Sequence, residues 1–348
     1  MAFTMHSHSG QFCPGHAKDQ LEDIVRHAIR IGFKTMALTE HMPRTELIDL
    51  YPEEMDPSPQ ASLDALMPRH LAFLSEAQRL QEKYASQIHI LIGFEGEWPR
   101  PEFGPFIREL YISEPCVDFV IGSLHHAAGV PIDFDKAMYL QAARAAAAAF
   151  SEKSSSSSPD ALSKEEEEET LWNRYYDEQF DMLSSLRPVV VGHFDLIRLM
   201  SGDPARDVRT QWPGTWERIV RNLGVIRGYG GWLECNTSAL RKGLTEPYPG
   251  RAIATEWIKM GGKFTFSDDS HGIAQVATNY LRGLDYLESL GVTELWTFRR
   301  RPVHPGTTTT TPTPGDGEDR RKAELDEVAV PLAEFRASLR LGGDAVQM

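Results

Sequence analysis

Histidines and carboxylates recur along this chain in short groups: His6 and His8, Glu40 and His41, Glu95, His125 and His126, His193 and Asp195, Glu234 and Asn236, and Asp268, Asp269 and His271. Neutral imidazole nitrogen and carboxylate oxygen are the donors that divalent transition ions accept, and no thiolate set competes with them. The spacing of His6-Ser7-His8 suits an extended strand, whose i and i+2 side chains share a face and can reach one ion. One such pair is a weak signal, since a single histidine at a strand end is more often structural than ligating. Six or seven such groups are not independent accidents, and the chemistry they indicate is a metal cluster.

Each group follows a short apolar run with strand character: 1–5, 35–39, 89–93, 117–122, 189–192, 231–235 and 263–266. Between the first two, Asp19 and Glu22 read as a helix-starting cap, and Leu21, Ile24, Val25, Ala28 and Ile29 then fall on one helical face that ends near Gly32. Strand, helix and strand in that order predict a parallel α/β sheet. Closed into a TIM-like barrel, such a sheet gathers the carboxyl ends of its strands around one mouth, which brings residues far apart in sequence into one cluster.

Two stretches are compositionally biased. Residues 142–169 pass from an alanine block through a serine run into Glu165–Glu169, and residues 302–321 hold a threonine run between prolines. Both have the composition of solvated inserts and are expected to stay outside the chemistry, although the alanines can extend a helix and the glutamates can open one. What is left, near 300 residues, fits one barrel domain over 1–300, where about 250 residues suffice, with a linker at 302–321 and a C-terminal segment at 322–348.

With 36 Lys and Arg against 50 Asp and Glu, the net charge is −14 over 348 residues. An acidic surface disfavours nucleic acid, which needs a basic face for counterion release. Cys13, Cys116 and Cys235 show neither disulfide-framework nor CxxC spacing, and no apolar run approaches membrane-spanning length. These features predict a cytoplasmic protein with no membrane anchor; oligomeric state is not legible.

The motifs HSHSGQFCPGHA at 6–17, LTEHMPR at 38–44, GFEGEW at 93–98, GSLHH with PIDFD at 122–135, GHFDLIR at 192–198, ECNTSALRKG at 234–243 and FSDDSH at 266–271 resemble the polymerase-and-histidinol-phosphatase (PHP) superfamily, and within it the monofunctional histidinol-phosphatases. The resemblance implies a distorted seven-stranded barrel with three divalent ions, of zinc, iron or manganese. It implies His6, His8, Glu95 and Asp268 around the first, Glu95, His125 and His193 around the second, and His16, His41 and His271 around the third. Glu95 would bridge two ions, which a carboxylate can do and an imidazole cannot. Glu40, beside His41, would be a ligand or an acceptor that orients a neighbouring histidine.

The implied reaction is hydrolysis of a phosphomonoester, L-histidinol phosphate, by metal-bound hydroxide in histidine biosynthesis. Candidates for phosphate binding are Arg44, Arg198 and Arg241, whose fork geometry matches phosphoryl oxygens. Asp195, Asp269 and His126 are candidates to protonate the departing alkoxide. Asp133 and Asp135, with Glu97 behind them, are candidates for the substrate's ammonium and imidazole. The competing readings are a nuclease or another phosphoesterase, and a metal-binding module without catalysis.

Overall fold

The computed structural model of the chain describes residues 1–56, 58–153, 162–302 and 323–340. Its centre is a sheet of seven parallel strands: β1 (Ala2–Thr4), β2 (Phe33–Leu38), β3 (His89–Glu97), β4 (Phe119–Ser123), β7 (Val190–Val191), β8 (Trp232–Asn236) and β9 (Lys263–Ser267), paired in that order. The two-residue strands β5 (His126–Ala127) and β6 (Val130–Pro131) form a small hairpin after β4. The sheet curls until its edges meet, where Met5 N donates to Phe266 O (3.1 Å) and His8 N to Ser270 O (2.8 Å). The result is a nearly closed α/β barrel.

All seven expected strands are present, because each apolar run is long enough to be buried on both faces of a parallel sheet. β3 runs four residues further than its apolar core suggests, so Glu95 and Glu97 lie on the strand itself and share a face. The first helix, Leu21–Arg30, buries Leu21, Ile24, Val25 and Ala28 as its periodicity predicts. Its cap differs from expectation. Gln20 is the N-cap residue and offers no side-chain bond, while Asp19 accepts from Ile273 N at 2.8 Å and ties the helix start to the loop after β9.

The alanine block is packed rather than solvated. It lies in the helix Lys136–Lys153, with Ala142, Ala143, Ala146 and Ala147 buried against neighbouring elements. The glutamates open the helix Lys164–Leu186 through a capping box of Ser163 and Glu166. The Ser-rich middle expected to be loop, at 154–158, and the 303–321 part of the Thr/Pro-rich stretch lie outside the described residues.

Residues 323–340 complete the base of the barrel. β10 (Glu294–Pro302) and β11 (Ala323–Pro331) form an antiparallel hairpin, and Phe298 stacks on Trp232 at the start of β8 with ring centroids 4.2 Å apart. Arg300 bonds Asp118 (2.7 Å), and its amide donates to His89 Nε2 (3.2 Å), which sets the hairpin across the amino ends of β3 and β4. The helix Leu332–Ser338 adds Phe335 edge-on to Phe3 and Phe266. With this end plugged, the opposite end is the mouth.

His70, inside the helix Pro59–Lys83, is buried beside Phe73 and Phe94, and neither ring nitrogen has a partner among the described residues. Burial lowers its pKa to about 4. A base whose folded-state pKa lies below its unfolded value of 6.5 stabilises the fold fully above pH 6.5, and that contribution is lost as pH falls toward 4. His70→Leu is therefore expected to flatten the acid limb of a stability-against-pH curve by roughly 2–3 kcal/mol between those limits. Denaturant unfolding at pH 7 and pH 4.5 measures it, and an unchanged pH slope would contradict the assignment.

Candidate metal centre

The barrel mouth collects the groups read from the sequence, and Glu95 stands at their middle. Its Oε2 lies 2.9 Å from His41 Nδ1, 3.4 Å from His6 Nε2 and 3.6 Å from His8 Nε2. Its Oε1 lies 3.0 Å from His193 Nε2 and 3.4 Å from His125 Nε2. One carboxylate thus faces five imidazoles, split between its two oxygens. Burial disfavours a charge on Glu95, but the imidazoles of His6, His125, His193 and His41 outweigh it and hold the carboxyl well below its ordinary range.

Among the described residues, four triads bring donor atoms within 4.8 Å of one another: His6, His8 and Asp269; Glu95, His125 and His193; His41, Glu95 and Glu97; and His8, His41 and His271. His6 Nε2, His8 Nε2 and His271 Nε2 are buried without a hydrogen-bond partner among the described residues. Burying so many unpaired nitrogens beside carboxylates is costly unless something binds them together. Divalent ions do that, and the donor set of imidazole and carboxylate suits zinc, iron or manganese. His41 and His271 are part-exposed, so the site is open at its outer edge, as catalytic metal sites are.

Two expected ligands, Asp268 and His16, stand differently from the reading by sequence, and Glu40 lies where the second of its two expected roles, behind a histidine, puts it. Asp268 points away from the cluster: its Oδ1 accepts from Thr4 Oγ1 (3.3 Å) and Ser270 N (3.2 Å), and its Oδ2 from Ala277 N (2.5 Å). Asp269 takes the place beside the imidazoles, with Oδ1 3.3 Å from His8 Nε2 and 3.7 Å from His6 Nε2. A left-handed φ of 48° at Asp269 swings its side chain inward, a conformation aspartate tolerates. His16 is half exposed, with Nδ1 3.3 Å from Glu53 and its ring 4.6 Å from that of His271, so it borders the outer group without joining a triad. Glu40 sits behind His8, its Oε2 3.9 Å from His8 Nδ1 and its Oε1 accepting from Ser9 Oγ at 2.5 Å. Burial raises Glu40 to about 7.

The guanidinium groups are engaged with the protein. Arg44 is buried against Glu97 and Glu54, 5.0 Å over the Tyr51 ring. Arg198 lies 2.9 Å from Asp195 and bonds the carbonyls of Glu246 and Pro247. Arg241 holds the backbone of the two aspartates, donating to Asp268 O and Asp269 O at 3.0 Å each. Asp195 also accepts from Gly250 N (2.8 Å), its Oδ1 has no partner among the described residues, and burial raises its pKa. His126 packs its ring 5.4 Å from Tyr51, and burial lowers it to about 4.

Of the two acids expected to meet the substrate, Asp135 is exposed and caps the helix Lys136–Lys153 by accepting from Met138 N (2.8 Å), so its carboxylate is spent locally. Asp133 is part-exposed near His125, His126 and Tyr51, whose titration it influences. Glu97 lies deeper than expected, 2.9 Å from His41 Nδ1 and bonded by Arg44 and Tyr51. Its i, i+2 relation to Glu95 was the available signal for that place.

Comparison with known proteins agrees with this geometry. The PHP domain profile matches residues 4–238. The Schizosaccharomyces pombe protein named "Probable histidinol-phosphatase" is 36% identical over 307 residues, covering 88% of this chain and 92% of the relative. The Saccharomyces cerevisiae histidinol-phosphatase is 32% identical over 338 residues, covering 86% and 95%. The crystal structure of Lactococcus lactis histidinol phosphate phosphatase, complexed with zinc, L-histidinol and phosphate, superposes with a TM-score of 0.57 at 18% identity, over 85% of this chain and 96% of that one. The chain therefore belongs to the PHP-domain family and, within it, to the histidinol-phosphatases.

Proposed function

We propose that this chain hydrolyses L-histidinol phosphate to L-histidinol and phosphate, using divalent ions held by the barrel-mouth cluster. The observation that carries the reading is Glu95, whose two oxygens each serve a different set of imidazoles beside an open edge. Family membership supports the substrate, and the Lactococcus relative was solved with both products of that reaction.

His6, His8 and Asp269 with Glu95 would hold one ion, Glu95, His125 and His193 a second, and His41 and His271 with His8 or His16 a third. Bound divalent ions supply Lewis acidity toward phosphoryl oxygens and lower the pKa of water toward neutrality. Arg241 uses two of its five donors on the backbone of Asp268 and Asp269, which leaves the rest of its fork for a phosphate oxygen. Arg44 and Arg198 shape the walls of the mouth through their buried pairs. Of the three candidate acids, Asp195 is the one with a carboxylate oxygen, Oδ1, left without a partner among the described residues, while its Oδ2 is engaged by Arg198 and Gly250 N. Asp269 is held well below its ordinary range despite burial, chiefly by His6 and His8, and serves as an ionised ligand. His126 stays neutral and offers a hydrogen bond, and Asp133 offers a carboxylate to the substrate's ammonium.

Three free cysteines support a reducing, cytoplasmic setting. Among the described residues, no helix is long and apolar enough to cross a membrane.

The test compares phosphate release from L-histidinol phosphate with nucleotide release from a single-stranded oligonucleotide, before and after chelation. Release from the small ester is expected to be the faster and to fall to background with chelator, returning when metal is restored. Faster turnover of the oligonucleotide, or metal-replete protein inert toward every small phosphomonoester, rejects the proposal.

A further inference from the structure

Glu234, on β8, is fully buried between the strand ends that carry two of the candidate ligand groups. Among the described residues, all four of its hydrogen-bond partners are donors. Oε1 accepts from His6 Nδ1 (2.8 Å) and Ser267 Oγ (2.5 Å); Oε2 accepts from the backbone amide of His193 (2.8 Å) and Asn236 Nδ2 (3.1 Å). A carboxylate is the only side chain of this length that offers acceptors on both atoms, since Gln would turn an NH2 toward two of these donors. The bond to His6 Nδ1 leaves Nε2 as the nitrogen facing Glu95 and Asp269. The bond to the His193 amide fixes a residue whose φ of 20° is uncommon outside glycine. Gly192 precedes it because a Cβ there would meet Ser123 Oγ at 2.5 Å.

We infer that Glu234 is a positioning residue for two candidate metal groups at once, setting the ring tautomer of His6 in one and the backbone of His193 in the other. The outer group of His8, His41 and His271 lies beyond its reach. This inference rests on the metal-dependent reading above, and it predicts which ions fail first. A carboxylate behind a ligating histidine typically contributes 10- to 100-fold in metal affinity.

The experiment is calorimetric titration of metal-free full-length wild type and Glu234→Gln with Zn2+, paired with hydrogen exchange at the His193 amide of the metal-free proteins. Glu234→Gln is expected to weaken two binding events by about 10- to 100-fold, keep the remaining one at wild-type affinity, and speed His193 exchange. Should Glu234→Gln misfold, Glu234→Asp keeps the charge but is too short to reach both His6 and His193, and the same two events are expected to weaken. Wild-type affinity at every site with unchanged exchange overturns this inference while leaving the proposed function intact. Equal weakening of all events also overturns it, as general destabilisation. A wild type that takes up none of Zn2+, Fe2+ and Mn2+ overturns the proposed function itself, and the exchange measurement, which needs no metal, then still reports on the His193 contact.

Discussion

Glu95→Ala is expected to lose turnover of L-histidinol phosphate by about 10³-fold or more, equivalent to about 4 kcal/mol of transition-state stabilisation, together with about two ions' worth of bound metal. The expectation follows from the division of labour between its oxygens: Oε2 faces His41, His6 and His8, while Oε1 faces His193 and His125. Removing the carboxylate takes one donor from each of two groups and leaves five imidazoles crowded around a hole. Glu95→Gln separates the causes, since it keeps the volume but not the charge. It too is expected to lose most metal, because an amide has one acceptor oxygen and cannot bridge with both atoms. Elemental analysis of purified protein, steady-state kcat/KM and the melting temperature of the metal-free forms decide the matter together. Retained metal and rate in either variant would remove Glu95 from the centre of the site.

Much of this arrangement was legible in the sequence, for a physical reason. A parallel barrel buries its strands on both faces, so each strand is a short apolar run, and the polar residues that end the runs at 6–8, 40–41, 125–126, 193, 234–236 and 268–271 necessarily meet at one mouth. The ligand chemistry follows from residue type alone. What was not legible depends on where a side chain turns. Asp268 and Asp269 are adjacent and identical, and only the left-handed backbone at Asp269 decides which one enters the cluster. Glu234 ends a strand like its neighbours, and nothing local says that its carboxylate stays behind the ligands. Arg44, Arg198 and Arg241 have the type and position of phosphate binders, yet each has protein acceptors within reach, and Glu97, the Glu246 carbonyl and the Asp268 carbonyl among them are all distant in sequence. The closure of the barrel base was hidden in another way. β10 and β11 are separated by the biased 303–322 stretch, so the hairpin signal of two strands around a short turn is absent.

The tandem aspartates give the second large expected effect, because one change of charge at neighbouring positions should fail in two different ways. Asp269→Asn replaces an ionised oxygen near His8 and His6 with a group that is neutral, so metal in that group and turnover are expected to drop, the latter by about 10²-fold or more, with the metal-free melting temperature nearly unchanged. Asp268→Asn acts on the fold. Its carboxylate receives the amides of Ser270 and Ala277 and the hydroxyl of Thr4. An NH2 in place of one oxygen must face one of those donors, at a cost of about 1–3 kcal/mol. The melting temperature of the metal-free Asp268 variant is therefore expected to fall, while its metal content at saturating supply stays close to wild type. Melting curves, metal analysis and kcat/KM on both variants separate the roles. If Asp268→Asn loses the metal and Asp269→Asn keeps it, the first ion is held by Asp268, and the inward turn of Asp269 serves only the hydrogen bonds it accepts from Asn236 and Ser238.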